Sequence, residues 1–490
     1  MDTALATTVN VLATPATHRL TNPPNSAPAW LVTGSNMLDL YATNSFLKPQ
    51  TPPNPIPRKK NTALFLTHCS TRPNTDDRDS ATDEDSTVEP NSNPNFEKSA
   101  TPISNYALSS SNSLFSRGLV FDLGPENAWD CTEIGSPVVK RYLSDEEERW
   151  YLWYHGRGNG NSGSDSIGLA VSSNGIHWER GRGHIGSSGD VGLVLNCSKD
   201  WWAFDTHSIR PGEVVIMSSS KLRANSAVYW LFYTGFSSEK VESFESLMGF
   251  NLKNPERARI DDDENGGNGG IGEVFKSFPG LAMSQDGRHW ARIEGEHHTG
   301  ALLDVGSKGE WDSLFIAGPQ VVFHGSGDLR MYYHSFDVEN GHFAIGIARS
   351  RDGMRWVKLG KIIGGGANGA FDEYGAVNAR VVRNRKDGNY VMVYEGVAAD
   401  GGRSIGVAVS KDGLKNWQRV QDGAVLKPSE EDGWDNREVG SPCLVQMDGD
   451  SDEWRLYYRG IGEGGRTGIG MAVSAGREIR SFRRWTGFHL

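Results

Sequence analysis

The segment "IGLAVSSNGIHW", residues 167–178, carries the pattern that decides the fold, because the chain repeats it with small changes. Further copies are "PGLAMSQDGRHW" at 279–290, "IGIARSRDGMRW" at 345–356 and "IGVAVSKDGLKNW" at 405–417. Asn-Gly or Asp-Gly between two apolar runs is the strongest short signal for a hairpin, since both central residues of a type I′ turn need positive φ. Each copy therefore predicts a β-hairpin with a type I′ turn.

The hairpin belongs to a longer repeated unit. Each unit opens with an aromatic residue followed by Asp, continues with an aromatic strand such as "WYLWYHG" and then enters the hairpin. A fifth hairpin, at 469–485, is a degraded copy. The five units start near residues 129, 204, 311, 371 and 434. Recurrence at this spacing, with four predicted strands per unit, is typical of propeller blades. The predicted fold is all-β: a five-bladed β-propeller of four-stranded antiparallel blades.

Closure of the ring is predicted from a repeated phrase. "DCTEIGSP" at 130–137 returns as "DNREVGSP" at 435–442, and a closed ring makes the first and last blades neighbours. Residues 117–124 are expected to complete the sheet at this closure, beside 481–485. An insertion at 237–277 is expected to be a surface excursion of the second blade. Repeated Trp and Tyr residues are expected to pack between neighbouring sheets.

Composition excludes several classes of function. The net charge of −11 argues against nucleic acid as a partner, since such binding relies on Lys and Arg to displace counterions. The sequence contains no run of 18 or more apolar residues, so no membrane span is expected. The four cysteines lack the spacing of a zinc site or a disulfide framework. Neither a metal nor another cofactor is predicted.

The first 116 residues differ in composition from the remainder. Residues 1–69 are rich in Ser, Thr, Asn and Pro and poor in acids, which favours a transit peptide and a chloroplast location. Residues 70–116 include the acidic "TDDRDSATDEDSTVEP" and are predicted to be a disordered linker. The alternative is a disordered tail without a targeting role. The propeller domain is predicted to span 117–490.

Five blades with "SxDGxxW" hairpins resemble the arabinanase, levansucrase and invertase superfamily of glycoside hydrolases, over about residues 117–490. The resemblance implies a sugar site at the mouth of the central channel where the innermost strands begin. Ser136-Pro137 stands where the furanosidase branch has Asp-Pro, which supplies its base or nucleophile. Ala317-Gly318-Pro319 stands where that branch has the Glu-Gly-Pro of its general acid. Both family acid/base positions are therefore replaced.

Other carboxylates could supply the chemistry. Glycoside hydrolysis generally uses two carboxyl groups that flank the scissile bond. Glu133 and Glu438 occupy one repeat position on the two blades that meet at the closure, and Glu395 follows another strand. These three are the predicted catalytic residues. The alternative for Glu133 and Glu438 is a structural role at the blade entry. That structural role is expected of the repeated aspartates Asp130, Asp205, Asp312, Asp372 and Asp435.

A second repeat position changes its chemistry from blade to blade. It follows the aromatic strand and is occupied by His155, Thr234, His334, Glu395 and Arg459. Such variation at a fixed place suits a shared ligand pocket, although a solvated rim is the alternative. Arg157 and Arg459 could orient a hydroxyl, carboxylate or phosphate through the fixed guanidinium fork. The predicted substrate-binding residues are His155, Arg157, Asp205, His207, His334 and Arg459.

Two functions from different classes follow from these features. The first is a glycoside hydrolase-like, carbohydrate-active protein, a glycosidase or transglycosidase if active. The second is a non-catalytic propeller that binds a glycan or acts as a protein-interaction scaffold in an organelle. The predicted ligand is a carbohydrate or another small polar molecule.

Overall fold

The computed structural model describes most of the chain from residue 117 onward, as five antiparallel β-sheets arranged in a ring. The described residues are 117–143, 148–159, 163–181, 190–217, 228–241, 275–325, 327–430, 432–448, 453–475 and 478–487. The predicted transit peptide and linker lie outside them, as does the 242–274 part of the predicted insertion. In the described ranges, no helix is both long enough and apolar enough to cross a membrane.

The described residues contain twenty-two strands, numbered in chain order, which belong to the five blades. Blade 1 contains β2 Glu133–Leu143, β3 Glu148–Arg157, β4 Ser166–Ser172, β5 Glu179–Arg180 and β6 Leu193–Leu195. Blade 2 contains β7 Ser208–Met217, β8 Val228–Lys240, β9 Phe275–Ser284 and β10 Ala291–Ile293. Blade 3 contains β11 Ala317–Gly325, β12 Asp328–Asp337, β13 His342–Ser350 and β14 Trp356–Ile363. Blade 4 contains β15 Ala376–Arg383, β16 Tyr390–Val397, β17 Arg403–Ser410 and β18 Gln418–Arg419. Blade 5 contains β19 Glu438–Gln446, β20 Trp454–Ile461, β21 Thr467–Ala475, β22 Glu478–Arg484 and β1 Leu119–Phe121.

The first strands of the blades contact one another in the cyclic order β2, β7, β11, β15, β19 and again β2. These strands line the central channel, and the ring is closed. The predicted five-bladed all-β propeller is therefore confirmed. It brings together the first and last blades, which are about 300 residues apart in the sequence.

Both ends of the described chain share the outer edge of blade 5. Strand β1 pairs with β21 at Leu119↔Gly470, and β22 pairs with the same strand at Ala472↔Arg484. The backbone N–H of Ile134 in blade 1 donates to Thr467 Oγ1 in blade 5 over 2.9 Å. This arrangement confirms the sequence prediction that 117–124 completes the sheet at the closure.

Repeated glycines make room for the aromatic residue that opens each unit. A Cβ added at Gly168 would lie 2.3 Å from Trp129 Cζ2, and one added at Gly346 would lie 2.3 Å from Trp311 Cζ2. Real Cβ atoms do not approach other atoms so closely, so the indole requires glycine beneath it. The small-residue strand of the repeat is thus a consequence of packing inside the blade.

The repeated aspartates fix the blade entries, as expected. Each is buried and accepts a hydrogen bond from a buried Tyr hydroxyl of its own blade, at 2.8–2.9 Å. The pairs are Asp130 with Tyr154, Asp205 with Tyr233, Asp312 with Tyr333, Asp372 with Tyr394 and Asp435 with Tyr458. A Lys or Arg from the outer strand completes each group, as Arg292 Nε does 2.7 Å from Asp205 Oδ2. Asp205 is fully buried among these partners, which suits the structural role expected of it, and its role in substrate binding stays a prediction.

The hairpins form as predicted, but their turns are not of type I′. In the first copy Gly175 has φ 74°, whereas Asn174 is not among the described residues with positive φ. Ser172 Oγ accepts the N–H of Gly175 at 2.9 Å, and Asn174 Oδ1 accepts the N–H of His177 at 3.0 Å. These side chains cap a longer turn, a role that Ser and Asn fill because they can bond nearby backbone.

Candidate functional site

All five innermost strands are distorted at the same place, a few residues after they begin. The ladder between first and second strands breaks register between Gly135 and Val138 in blade 1, and at the matching point in the other four. Four of the residues at this point have positive φ: Ser136 at 47°, Gly318 at 62°, Asn378 at 51° and Ser441 at 45°. In blade 2 the matching residue is Pro211. The five bulges line a narrow cavity that includes Arg210 and Arg380.

The variable repeat position holds these bulges in place. Thr234 Oγ1 accepts the N–H of Gly318 at 2.9 Å, and His334 Nδ1 accepts that of Asn378 at 3.3 Å. Glu395 Oε2 likewise accepts the N–H of Ser441 at 2.8 Å. In each case one blade bonds the bulge of the next. In these three blades the residue at the variable position differs because several side-chain acceptors can satisfy one backbone N–H.

Blade 1 departs from this rule because proline has no N–H to donate. His155 occupies the variable position of blade 1, and the bulge of the next blade carries Pro211. The Nδ1 atom of His155 lies 3.0 Å from Ser136 Oγ in its own blade instead. Its Nε2 lies 3.4 Å from Glu133 Oε1. Burial, together with the charge of Arg210, lowers the pKa of His155 to about 4. The imidazole is therefore neutral at pH 7.

Glu133 lies among three arginines that come from three blades. Its Oε2 is 2.9 Å from Arg157 Nη1, and its Oε1 is 3.4 Å from Arg459 Nη1 and 3.8 Å from Arg210 Nη2. Burial acts to raise the pKa of Glu133, but the His155 hydrogen bond and the charges of Arg157 and Arg210 outweigh it. The pKa is held well below its usual range. Glu133 is a carboxylate at pH 7, with 16% of its side chain exposed.

Asp165, which the sequence interpretation missed, orients two of these arginines. Its Oδ1 lies 2.7 Å from Arg157 Nε, and its Oδ2 lies 2.7 Å from Arg210 Nε. The fully buried carboxylate thereby directs both guanidinium groups toward Glu133. The two arginines and two carboxylates form one hydrogen-bonded network across blades 1 and 2.

A sequence signal for Asp165 was present in a second variable repeat position. This position lies two residues before the Ile-Gly, or the equivalent Pro-Gly, of each third strand. It is occupied by Asp165, Ser277, Phe343, Arg403 and Thr467. Two of these five are charged and buried. Arg210 carried a different signal. It precedes Pro211, and the residues that match Pro211 in the other four bulges all have positive φ.

A second charged group lies on blades 4 and 5. Glu395 is 1% exposed, forms an ion pair with Arg403 and accepts a hydrogen bond from Asn378 Nδ2 at 2.9 Å. Burial acts to raise the pKa of Glu395, but the charges of Arg403 and Arg459 outweigh it and lower the pKa. Glu438 is 18% exposed, and its Oε2 is 3.9 Å from Arg403 Nε.

The remaining predicted residues have different surroundings. The His207 ring packs edge-on against Phe275, with ring centroids 4.6 Å apart. His334 is buried, and burial lowers its pKa to about 3. The fold thus brings Glu133, His155, Arg157 and Arg459 into one cluster and Glu395 with Glu438 into another. Among the described residues, no group of three or more His, Cys, Asp or Glu side chains could hold a metal ion.

Comparison with known proteins gives one group of related sequences. No family model matches the chain. An uncharacterized protein of Mycobacterium tuberculosis, recorded from two strains, is 29% identical over 210 residues. The alignment covers 41% of this chain and 62% of the relative, so the chain spans less than two thirds of the protein that it matches.

Several solved structures are similar, and those named here are glycoside hydrolases. One structure, described as a glycoside hydrolase, is 16% identical to this chain, with TM-score 0.47. The alignment covers 74% of this chain and 93% of the hydrolase chain. A glycosyl hydrolase from Bacteroides ovatus is 14% identical, with TM-score 0.44 and coverages of 72% and 87%. A thermostable family-43 glycoside hydrolase is 15% identical, with TM-score 0.45 and coverages of 73% and 98%. Similarity at these identities and TM-scores does not assign a substrate or an activity to this chain. Both are therefore inferred from the chain's own residues.

Proposed function

We propose that this glycoside hydrolase-like propeller is a carbohydrate-active protein that binds a sugar at the mouth where the innermost strands begin. The observation that carries the proposal is the pair Glu133 and Glu438. These two residues come from the blades that meet at the closure, and both keep part of their side chains exposed beside arginines. Sugars are recognised through hydroxyl groups, which both donate and accept hydrogen bonds, and carboxylates with guanidinium groups offer both kinds of partner.

Glu133 has the properties of a hydroxyl acceptor in this proposal. The His155 hydrogen bond and the charges of Arg157 and Arg210 keep it ionised, so it can accept a hydrogen bond but does not donate one at pH 7. Arg157 and Arg459 flank it and can donate to further sugar oxygens. The neutral His155 beneath fixes the position of the carboxylate.

We assign Glu438 the role of proton donor if the protein is an enzyme. In the described part of the chain its buried Oε2 has no hydrogen-bond partner, unlike the oxygens of Glu133 and Glu395. Arg403 Nε lies 3.9 Å from this oxygen, too far for a hydrogen bond, and 18% of the Glu438 side chain is exposed. Glu395, by contrast, is buried and paired, and we assign it a positioning role in holding the Ser441 bulge.

A second candidate, a non-catalytic glycan-binding propeller, is favoured by a separate observation. Ser136 and Ala317 occupy the positions of the family's acid/base residues, and neither can transfer a proton as a carboxyl group does. The surroundings of Glu133 and Glu395 lower the pKa of both, so neither is suited to donate a proton at pH 7. The same mouth would then bind a glycan without cleaving it, or take part in a scaffold.

The test substitutes Glu133 and Glu438 singly by Gln in the full chain. Glu463→Gln, an exposed glutamate in the loop between β20 and β21, is the control. Binding is measured by calorimetry and turnover by product analysis, using arabino-, fructo-, manno- and xylo-oligosaccharides. Loss of turnover with binding retained in E438Q supports the enzyme, and binding without turnover by wild type supports the second candidate. Absence of wild-type binding to every glycan would overturn the proposal.

A further inference from the structure

Every blade is entered through a turn of the same form. The N–H of the fourth residue donates to the C=O of the first at 2.8–3.0 Å, as Ala203 does to Asp200. In the four turns whose second residue the structure describes, that residue is Glu126, Trp201, Lys308 and Asn368. Three of these four turns thus carry a polar residue there and one carries a tryptophan. The turn itself does not need the indole, because the sister turns form without one.

The two tryptophans of this turn stand at the surface. Trp201 is 92% exposed and Trp202 is 38% exposed. The Trp202 ring lies over Gly300, since a Cβ added there would be 3.6 Å from its Cζ3. Large apolar side chains are normally buried, because contact of their surface with water is unfavourable. An exposed indole ring gains free energy when a ligand covers it. Trp201 is therefore a candidate for contact with a ligand.

The tryptophan turn is continuous with the cluster around Glu133. Ser166 Oγ donates to Asn196 Oδ1 at 3.0 Å, and Cys197 Sγ donates to the backbone oxygen of Asp165 at 3.4 Å. Asp165 in turn orients Arg157 and Arg210. Trp201 follows Cys197 by four positions in the chain, so their Cα atoms lie within about 14 Å even in an extended chain. The turn leads into the start of β7, at the same mouth of the channel.

We propose that Trp201, supported by Trp202, is an outer subsite that stacks against a sugar ring of an oligosaccharide whose other end occupies the mouth. This inference rests on the proposed function. It implies that the preferred ligand is an oligosaccharide and not a single sugar. The C–H face of a sugar ring is apolar and flat, and it matches the face of an indole. The exposed charged neighbours Lys199 and Asp200 confine the apolar surface at this turn to the two indoles.

The experiment compares Trp201→Ala, Trp201→Tyr and wild type in the full chain. Lys308→Ala, at the same position of the blade 3 turn, is the matched control. The probes are arabino-, fructo-, manno- and xylo-oligosaccharides graded from one ring to six, with binding followed by calorimetry. Trp201→Ala should weaken binding of the longer members about tenfold, as truncation of a tryptophan hot spot does, and leave the single sugars unchanged. Trp201→Tyr should restore most of the affinity, and Lys308→Ala should change nothing.

A fluorescence measurement gives an independent readout. The wild-type spectrum minus that of W201A isolates one exposed indole, and saturating hexasaccharide should shift this difference to shorter wavelength. Equal binding of all lengths by wild type and W201A would overturn the subsite while leaving the proposed function intact. Failure of wild type to bind any member would overturn both. A W201A variant that changes only the sedimentation of the protein would assign the turn to a contact between protein chains and overturn the sugar subsite.

Discussion

Substitution of Glu395 by Gln should destabilise the propeller strongly, although this residue was predicted from the sequence to be catalytic. Its side chain is 1% exposed, forms an ion pair with Arg403 and accepts the N–H of Ser441 at 2.8 Å. Gln keeps a carbonyl oxygen for that N–H but loses the charge. Arg403, itself 4% exposed, would retain only the longer 3.9 Å contact with Glu438.

The expected magnitude follows from the burial of the ion pair. Removing one partner of a buried pair costs roughly 3–5 kcal/mol, because the other charge stays buried without compensation. Because Arg403 keeps its contact with Glu438, the expected loss of unfolding free energy in E395Q lies near the lower end of this range, at about 3 kcal/mol. For a propeller of this size, at roughly 2 °C per kcal/mol, the melting temperature should fall by about 6 °C.

The assay is thermal and urea unfolding of the full chain, with E438Q as the control. Glu438 Oε2 lies 3.9 Å from Arg403 Nε and 18% of its side chain is exposed, so its substitution should cost less than about 1 kcal/mol. The pKa of Glu395 is lowered in the folded state, so its contribution is complete above the unfolded pKa and is lost as pH falls through the folded pKa. The difference between wild type and E395Q should therefore shrink on acidification.

Two results would refute this reasoning. The first is a cost of E395Q that does not exceed the cost of E438Q at pH 7. The second is simple additivity in the double variant E395Q/R403Q, because two partners in contact should show a coupling of about 0.5–3 kcal/mol. Loss of turnover in E395Q with unchanged unfolding would instead make Glu395 catalytic.

Three further predictions concern the blade interior, the neutral histidine and the first segment of the chain. Gly168→Ala should cost about 1–3 kcal/mol in urea unfolding, since the added Cβ meets the Trp129 indole, whereas Gly423→Ala, with nothing within 4 Å of the added Cβ, should cost less than about 0.5 kcal/mol. His155 has a folded pKa of about 4, below its ordinary value, so the unfolded state binds more protons and stability should fall as pH drops from about 6.5 to 4. His155→Gln should flatten this slope relative to wild type, and parallel curves would contradict the burial of a neutral imidazole. We propose that residues 1–69 direct a fused fluorescent protein to chloroplasts, and diffuse cytosolic fluorescence in leaf cells would contradict it.

Local signals in the sequence were sufficient for the architecture. The "IGLAVSSNGIHW" repeat predicted the strands and the number of blades, and the return of "DCTEIGSP" as "DNREVGSP" predicted the closure of the ring. The exact turn was missed, because capping by Ser172 and Asn174 depends on side-chain hydrogen bonds that Asn-Gly alone does not specify. The structural role of the repeated aspartates was expected, and Asp205, which was also predicted as a ligand contact, is buried against Tyr233 like its counterparts in the other blades.

The candidate site was predicted only in part. Glu133, Arg157 and Arg459 were expected at the mouth and do meet there. Asp165 was missed and Arg210 was not assigned to the site, since each belongs to a loop or strand whose partner lies in another blade. Glu395 had the right position in the repeat, but its complete pairing could not be foreseen from its neighbours in sequence.

By itself, the sequence determined the repeating unit and the order of blades, because hairpins, alternation and required glycines are properties of short segments. Only the tertiary structure decided which charges face one another. Arg157 and Arg210 point toward Glu133 because Asp165 orients both. His155 bonds Ser136 in its own blade because the next bulge carries Pro211, which has no N–H to donate. Such pairings depend on distances between blades of a few ångströms, and these distances are set when the ring closes.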